Sequence, residues 1–170
     1  MNKILVLIFT LCFSLPAISA VFIAKVNMQK ALTSVDEGIA VRNQLKKVFE
    51  KKQKELKAEE DKIRKAQENF KKQSLVMNND AKVKKERAIQ KMAMTLQKSL
   101  MTNQKMIQNL EVKLTKPIHD KIKKIISEIS KKEGVDMTIE IHTAPIMYAS
   151  KEIDITDKVI AAYNKKHPKK

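Results

Sequence analysis

The sequence predicts a mostly α-helical protein with a small β body, in which a long antiparallel helical hairpin of coiled-coil type projects from a short-stranded sheet. Three observations carry this expectation. Core-type residues recur at alternating spacings of four and three along two arms, one ending at Met77 and one starting at Ile89, with the turn-forming Asn78-Asn79-Asp80 between them. β-prone runs occur only near the two ends of the chain. The 170 residues include two glycines, four prolines and no tryptophan, too few turn-forming and large aromatic residues for a sandwich, barrel or dinucleotide-binding domain.

In chain order, residues 1–20 read as a secretory signal peptide. Lys3 is the positive start, Ile4 to Phe13 a ten-residue apolar stretch, and Pro16 a helix breaker before the small residues Ala17, Ser19 and Ala20. Cleavage is expected between Ala20 and Val21, or one residue earlier. Ten residues of helix reach about 15 Å, half of the roughly 30 Å hydrocarbon core, so the stretch is too short for a membrane anchor. Cys12 is the single cysteine and follows bulky Leu11, a poor context for lipid attachment. The mature chain then has no cysteine, and an exported protein without disulfides gains stability most readily by oligomerising.

Phe22 to Asn27 reads as a strand, and a short helical segment runs from Asn27-Met28 through Leu32. Thr33, Ser34 and Asp36 offer caps for the first arm, expected from Ile39 to Met77. Its seam is Leu45, Phe49, Lys52, Leu56, Glu59, Ile63, Ala66, Phe70, Gln73 and Met77, weakened by Lys52, Glu59 and Gln73. The second seam is Ile89, Ala93, Leu96, Leu100, Asn103, Ile107, Leu110 and Leu114, with Asn103 fixing register. Pro117 interrupts and kinks the helix, which resumes through Ile118–Ile129 and ends at Gly134. Val135 to Ile141 alternates as a half-buried strand, and Ile146 to Ala149 reads as another. Thr156 is expected to cap a last helix over 157–164.

The expected organisation is therefore a body of residues 21–38 and 117–164, a hairpin of residues 39–116, and a disordered basic tail, 165–170. Three short strands do not make a stable sheet alone, so the sheet must unite both ends of the chain and pair with other copies. Ile23, Val26, Met137, Ile139, Ile141 and Met147 are the candidate residues of this oligomeric body.

The formal net charge is +16, with 35 Lys and Arg against 19 Asp and Glu. Residues 38–134 carry +14 of it, whereas the strand region 135–160 is acidic. Such a field points to an anionic partner. Residues 87–110 contain no acid, and Met92, Met94, Met101 and Met106 stand among Lys98 and Lys105. With Met77 at the turn, these are the candidate partner-binding residues, since methionine adapts to varied apolar surfaces. Lys82, Lys84, Lys85 and Arg87 are candidates for anionic lipid.

Several functions are excluded. No Gly-rich phosphate loop or nucleophile turn is possible with two glycines. His119, His142 and His167 are too dispersed for a metal site, and no catalytic, cofactor or metal motif remains. No zinc, helix-turn-helix or aromatic RNA-binding signature accompanies the basic charge, and export argues against nucleic acid as the physiological partner.

Five segments together resemble the Skp/OmpH family: FIAKVNMQKAL, KKQKELKAEEDKIRK, DAKVKKERAIQK, KLTKPIHDKIKKIISEISKKEGVDMTIE, and MYAS followed by DITDKVI. The resemblance runs from about residue 22 to 164 and is most specific at the ends of the chain. It implies an ATP-independent periplasmic holdase chaperone without a cofactor. It further implies a homotrimer whose strands complete one body, with three hairpins enclosing a basic cavity for unfolded outer-membrane proteins. A lipopolysaccharide-binding role is a further implication. The alternative is a structural or lipopolysaccharide-binding coiled coil of the envelope without holdase activity.

Overall fold

The computed structural model describes residues 21–168. The signal-peptide expectation, including Ala20 at the cleavage point, and the final two residues of the tail lie outside the described residues. Strand β1 (Phe22–Val26) leads into α1 (Met28–Ser34), α2 (Asp36–Gln73) and α3 (Asn79–Glu133). Strands β2 (Met137–Glu140) and β3 (Lys151–Asp154) and helix α4 (Thr156–Lys166) follow.

β1 lies between β2 and β3, parallel to both. Ile23 pairs with Met137 on one side and Glu152 on the other, and Lys25 with Ile139 and Asp154. The sheet thus unites the two ends of the chain, as the strand runs require. Side chains alternate across it. Ala24 and Val26 turn towards the helices and are buried with Ile118, Ile122 and Ile125 of α3 and Val159 and Tyr163 of α4. Val26 therefore belongs to the monomer's own core. Ile23 and Lys25 face the other way.

The last strand is not where its composition points. Residues 146–149 are not a strand, and Met147 is 98% exposed. A strand parallel to β1 must restart at the same end of the sheet as β2, so residues 141–150 have to return across it. Ala144, Pro145 and Ile146 accordingly line a cavity together with Ile23 and Ile139 on the outer face. The charged segment Lys-Glu-Ile-Asp forms β3 instead, because each polar side chain finds a partner at this sheet edge. Glu152 accepts a hydrogen bond from Lys25 at 2.6 Å, Lys151 Nζ lies 4.2 Å from the centre of the Phe22 ring, and Asp154 accepts from the Thr156 N–H at 2.8 Å.

Helix boundaries shift for similar reasons. α2 starts at Asp36, three residues before expected, and none of the three predicted caps serves it; Val35 occupies the cap position, buried in the core. Asp36 and Glu37 place negative charge in the first turn, which favours the helix dipole. α2 ends at Gln73, so Met77 lies in the connection and not on a helical seam. Asn78 caps α3 by accepting from Ala81 N–H at 2.8 Å. α3 runs through Pro117 to Glu133 as one helix of 55 residues. Pro117 is on the exposed face, where its ring meets no packed neighbour, and it removes one backbone donor without ending the helix. Thr156 is the first residue of α4, and its Oγ1 accepts from Asn27 N–H at 2.9 Å instead of capping its own helix. α4 also includes Lys165 and Lys166, so the first two residues of the expected tail are helical.

α2 has 38 residues against the 55 of α3. The surplus of α3 is what enters the body, and Gly134, at φ 65°, closes it as a left-handed cap. Beyond the body the two helices form a bare pair. Ile63 is the one hydrophobic residue buried there among the described residues.

Gly38 marks a close approach between α2 and α1 at the root of the hairpin. A Cβ there would stand 1.8 Å from the Leu32 carbonyl oxygen, whereas one on Gly134 would meet nothing. Gly38→Ala must displace backbone, and a thermal melt should show a loss of about 2–4 kcal/mol. Gly134→Ala should lose about 1 kcal/mol, through its left-handed conformation alone.

Candidate functional site

Two surfaces stand out, the sides of the hairpin and its junction with the body. Along the hairpin, Phe49, Lys52, Leu56, Leu100, Asn103 and Ile107 line a groove of about 370 Å³ between the helices. Nearer the tip, Ile63, Ala88, Met92 and Thr95 line a second, of about 410 Å³, with Glu59, Lys62 and Lys91. Both have apolar floors and long polar side chains around them. They exist because a two-helix pair can bury only the strip where its helices touch. Phe49 and Leu100 have seam spacing, yet both remain exposed.

The predicted binding residues divide between two faces of α3. Met92 and Met106 each precede a seam position and flank the α2 contact; Met92 is half-buried. Ala93, assigned to the seam, is exposed, whereas Met92 beside it is half-buried and lines the groove. Met94, Lys98, Met101 and Lys105 lie on the outer face, away from α2. Lys84, Lys85 and Arg87 are exposed, and Lys82 is half-buried. Met77 is half-buried in the tip connection, beside the exposed Leu75 and Val76. Those two apolar tip residues had no periodic signal in the sequence to reveal them.

The polar seam positions have different fates. Lys52 donates to Glu55 of its own helix at 2.6 Å. The Glu59 Oε2 atom is buried without a hydrogen-bond partner. An unpaired carboxylate oxygen at this point weakens the middle of the hairpin.

The junction is tied by one carboxylate. Glu37 of α2 accepts from Lys121 of α3 at 2.7 Å and from the Tyr163 hydroxyl of α4 at 2.6 Å. Three helices therefore meet at one side chain, and the His167 ring centre lies 4.9 Å from that of Tyr163. Burial pushes the Glu37 carboxyl up, but the hydrogen bonds from Lys121 and Tyr163 and the Lys121 charge outweigh it, leaving it below the ordinary carboxylate range. The Tyr163 hydroxyl moves far upward, through its burial and then through the Glu37 carboxylate beside it. This cluster joins parts of the chain more than a hundred residues apart, so sequence spacing gave no sign of it.

Of the candidate body residues, Ile23, Ile139 and Ile141 line the outer sheet cavity of about 420 Å³. Met137 and Met147 are exposed near it. No group of His, Cys, Asp or Glu suited to a metal occurs among the described residues. No helix among them is long and apolar enough to cross a membrane.

The family model for outer membrane protein (OmpH-like) matches residues 23–163. The chain belongs to the OmpH-like family. Its members are chaperones and not enzymes. Among solved structures, one described as an OmpH-like outer membrane chaperone from Caulobacter crescentus aligns with a TM-score of 0.71 at 20% identity. The alignment covers 89% of this chain and 87% of that one, and at such identity it speaks for the fold. Comparison with curated proteins gives no match.

Three predictions rest on this geometry. Tyr163→Phe keeps the packing and removes one hydrogen bond to a charged acceptor. Glu37 is partly open to solvent, so the loss should be about 1 kcal/mol in a denaturant melt at neutral pH. The depressed Glu37 carboxyl contributes stability above its unfolded value of 4.5, and this is lost as pH falls through the lower folded value. Acid unfolding of Glu37→Gln should therefore show less of this loss than the wild type. Glu59→Leu should make the hairpin more stable by about 1 kcal/mol, read as slower amide exchange in the neighbouring turns of α2.

Proposed function

We propose that this chain is an ATP-independent periplasmic holdase that keeps unfolded outer-membrane proteins from aggregating. It acts as a homotrimer after export and removal of residues 1–20, with Val21 as the first residue of the mature chain. The observation that carries this reading is the hairpin itself. Its apolar side chains stand uncovered at Phe49 of α2, at the tip, and above all along α3 at Val83, Met94, Leu100, Met101, Met106 and Val112, inside the segment that holds +14 of the net charge. A folded structural coiled coil has no use for such exposure.

Weak, dispersed contacts suit a client without fixed shape. A basic arm attracts acidic unfolded chains and speeds capture. Several arms around one client then hold it by avidity. No nucleotide is required, because release follows when the client buries its own apolar surface in the bilayer. The trimer is supported by the single-chain sheet, whose outer face is apolar at Ile23, Ile139 and Ile141 and whose outermost strands, β2 and β3, have one neighbour each. Family membership supports the periplasm and the outer-membrane clients. Lipopolysaccharide remains a secondary partner, through the basic first turns of α3.

The test is sedimentation of the mature chain, alone and with an outer-membrane β-barrel protein diluted from urea. A trimer that holds the client soluble is the expected result. A trimer that leaves the client to aggregate identifies a structural or lipid-binding coiled coil, and a stable monomer overturns the shared sheet. Capture should slow as salt rises from about 0.1 M to 1 M, where the screening length falls from about 10 Å to 3 Å.

A further inference from the structure

The outer face of α3 has a regular pattern that its counterpart on α2 lacks. Starting at Met94, the residues at alternating steps of four and three are Lys98, Met101, Lys105, Gln108 and Val112. All six are exposed; Met94 is 74%, Met101 66% and Val112 64% accessible. Stepping back towards the tip at the same spacing gives Lys91, Arg87 and Lys84, also exposed. The row stands two residues off the seam that meets α2, which is about 200° around the helix. It keeps step with the seam, and it covers about 42 Å from Lys84 to Val112. No acid lies on it, and Lys91, Lys98 and Lys105 make no ion pair among the described residues.

α2 shows what an ordinary solvated face of this hairpin is like. The equivalent row there is Lys47, Glu50, Lys54, Lys57, Asp61 and Arg64, continuing to Glu68 and Lys71. It mixes both signs and has no apolar member. Arg64 is paired to Asp61 at 2.8 Å and lies 3.6 Å from Glu68. The α2 face thus offsets part of its charge, with three acids among five cations, whereas the α3 face has no acid and sets unpaired cations beside uncovered methionines.

We propose that the outer face of α3 is a contact track for unfolded polypeptide segments in which acidic and apolar side chains alternate. This rests on the chaperone reading and gives it a location and a selectivity. The unpaired lysines complement carboxylates, and the flexible methionines between them accept varied apolar side chains. A bilayer fits less well. Interfacial helices present a broad face of large apolar residues, and this row has two methionines and one valine.

The test measures binding of two synthetic peptides of equal length to the mature chain. One alternates Asp or Glu with Leu or Phe, and in the other Asn or Gln replaces every acid. The wild type should prefer the acidic peptide. Replacing Lys91, Lys98 and Lys105 by Gln, or Met94 and Met101 by Ser, should each weaken it about tenfold. Replacing Lys47, Lys54 and Lys57 by Gln removes the same charge from α2 and should have little effect. Equal loss from both lysine sets would show a bulk charge effect and overturn the track, as would an unchanged affinity of the methionine variant. Binding of phosphatidylglycerol vesicles in preference to the peptide would assign the face to a membrane instead. All these substitutions are on exposed helix surface, and circular dichroism checks that each variant is folded. Aggregation of the urea-diluted barrel client with wild type reports the chaperone reading separately: clients held equally well by wild type and by stripe variants refute the track and leave that reading standing.

Discussion

The parallel pairing of β1 with β2 is the constraint on which the rest of the molecule depends. Parallel neighbours cannot be joined by a tight turn, and the chain must travel away and return to the same end of the sheet. Here the crossover is the hairpin itself, 110 residues between Val26 and Met137. One descending helix and one longer ascending helix satisfy this requirement only if the second overshoots the first and enters the body. That is the physical role of the isoleucines at 118, 122 and 125, which place the end of α3 beneath Ala24 and Val26. The hairpin and the sheet are therefore one topological unit, although their compositions differ sharply.

The stability of that unit is unevenly distributed. Nearly all fully buried side chains belong to the body, and the root of the hairpin is fastened by the close contact at Gly38 and the Glu37–Lys121–Tyr163 cluster. Further out the pair has one buried isoleucine and a buried carboxylate oxygen with no partner. An arm anchored firmly at one end and thinly packed along its length opens locally at low cost. Local opening suits a surface that must accept chains of many shapes.

Much of this was legible in the sequence, because strong signals are local. The two helical arms, the Asn78 cap, the Gly134 cap and the β1 run each depend on a few adjacent residues, and the structure has all of them; the seam holds in part, since Ala93 is exposed and Met77 lies beyond the end of α2. What was not legible depended on distant partners. The strand at 151–154 is charged, and Lys25, Phe22 and Thr156 make it a strand; the more apolar run at 146–149 becomes a crossover because parallel pairing leaves it no place in the sheet. Val35 and not a polar residue occupies the cap position before α2, where it is part of the core. Among the candidate binding residues, the acid-free composition of residues 87–110 pointed to the methionines but not to their falling on two faces, which required knowing where α2 lies.

That division changes how the charge should be read. A net charge alone describes a field that attracts any anion, and every basic coiled coil has one. The distribution here is more specific, because the outer faces of the two helices differ in what they expose. α2 intersperses Asp61 and Glu68 among its cations and pairs them within one turn. α3 omits acids from residue 87 to 110 and puts methionine where α2 puts charge. Solubility would be served equally by either pattern, so solubility does not account for the difference. A partner that brings its own carboxylates and apolar side chains does, and an unfolded chain approaching from outside the pair meets that face of α3 without any need for the two helices to separate.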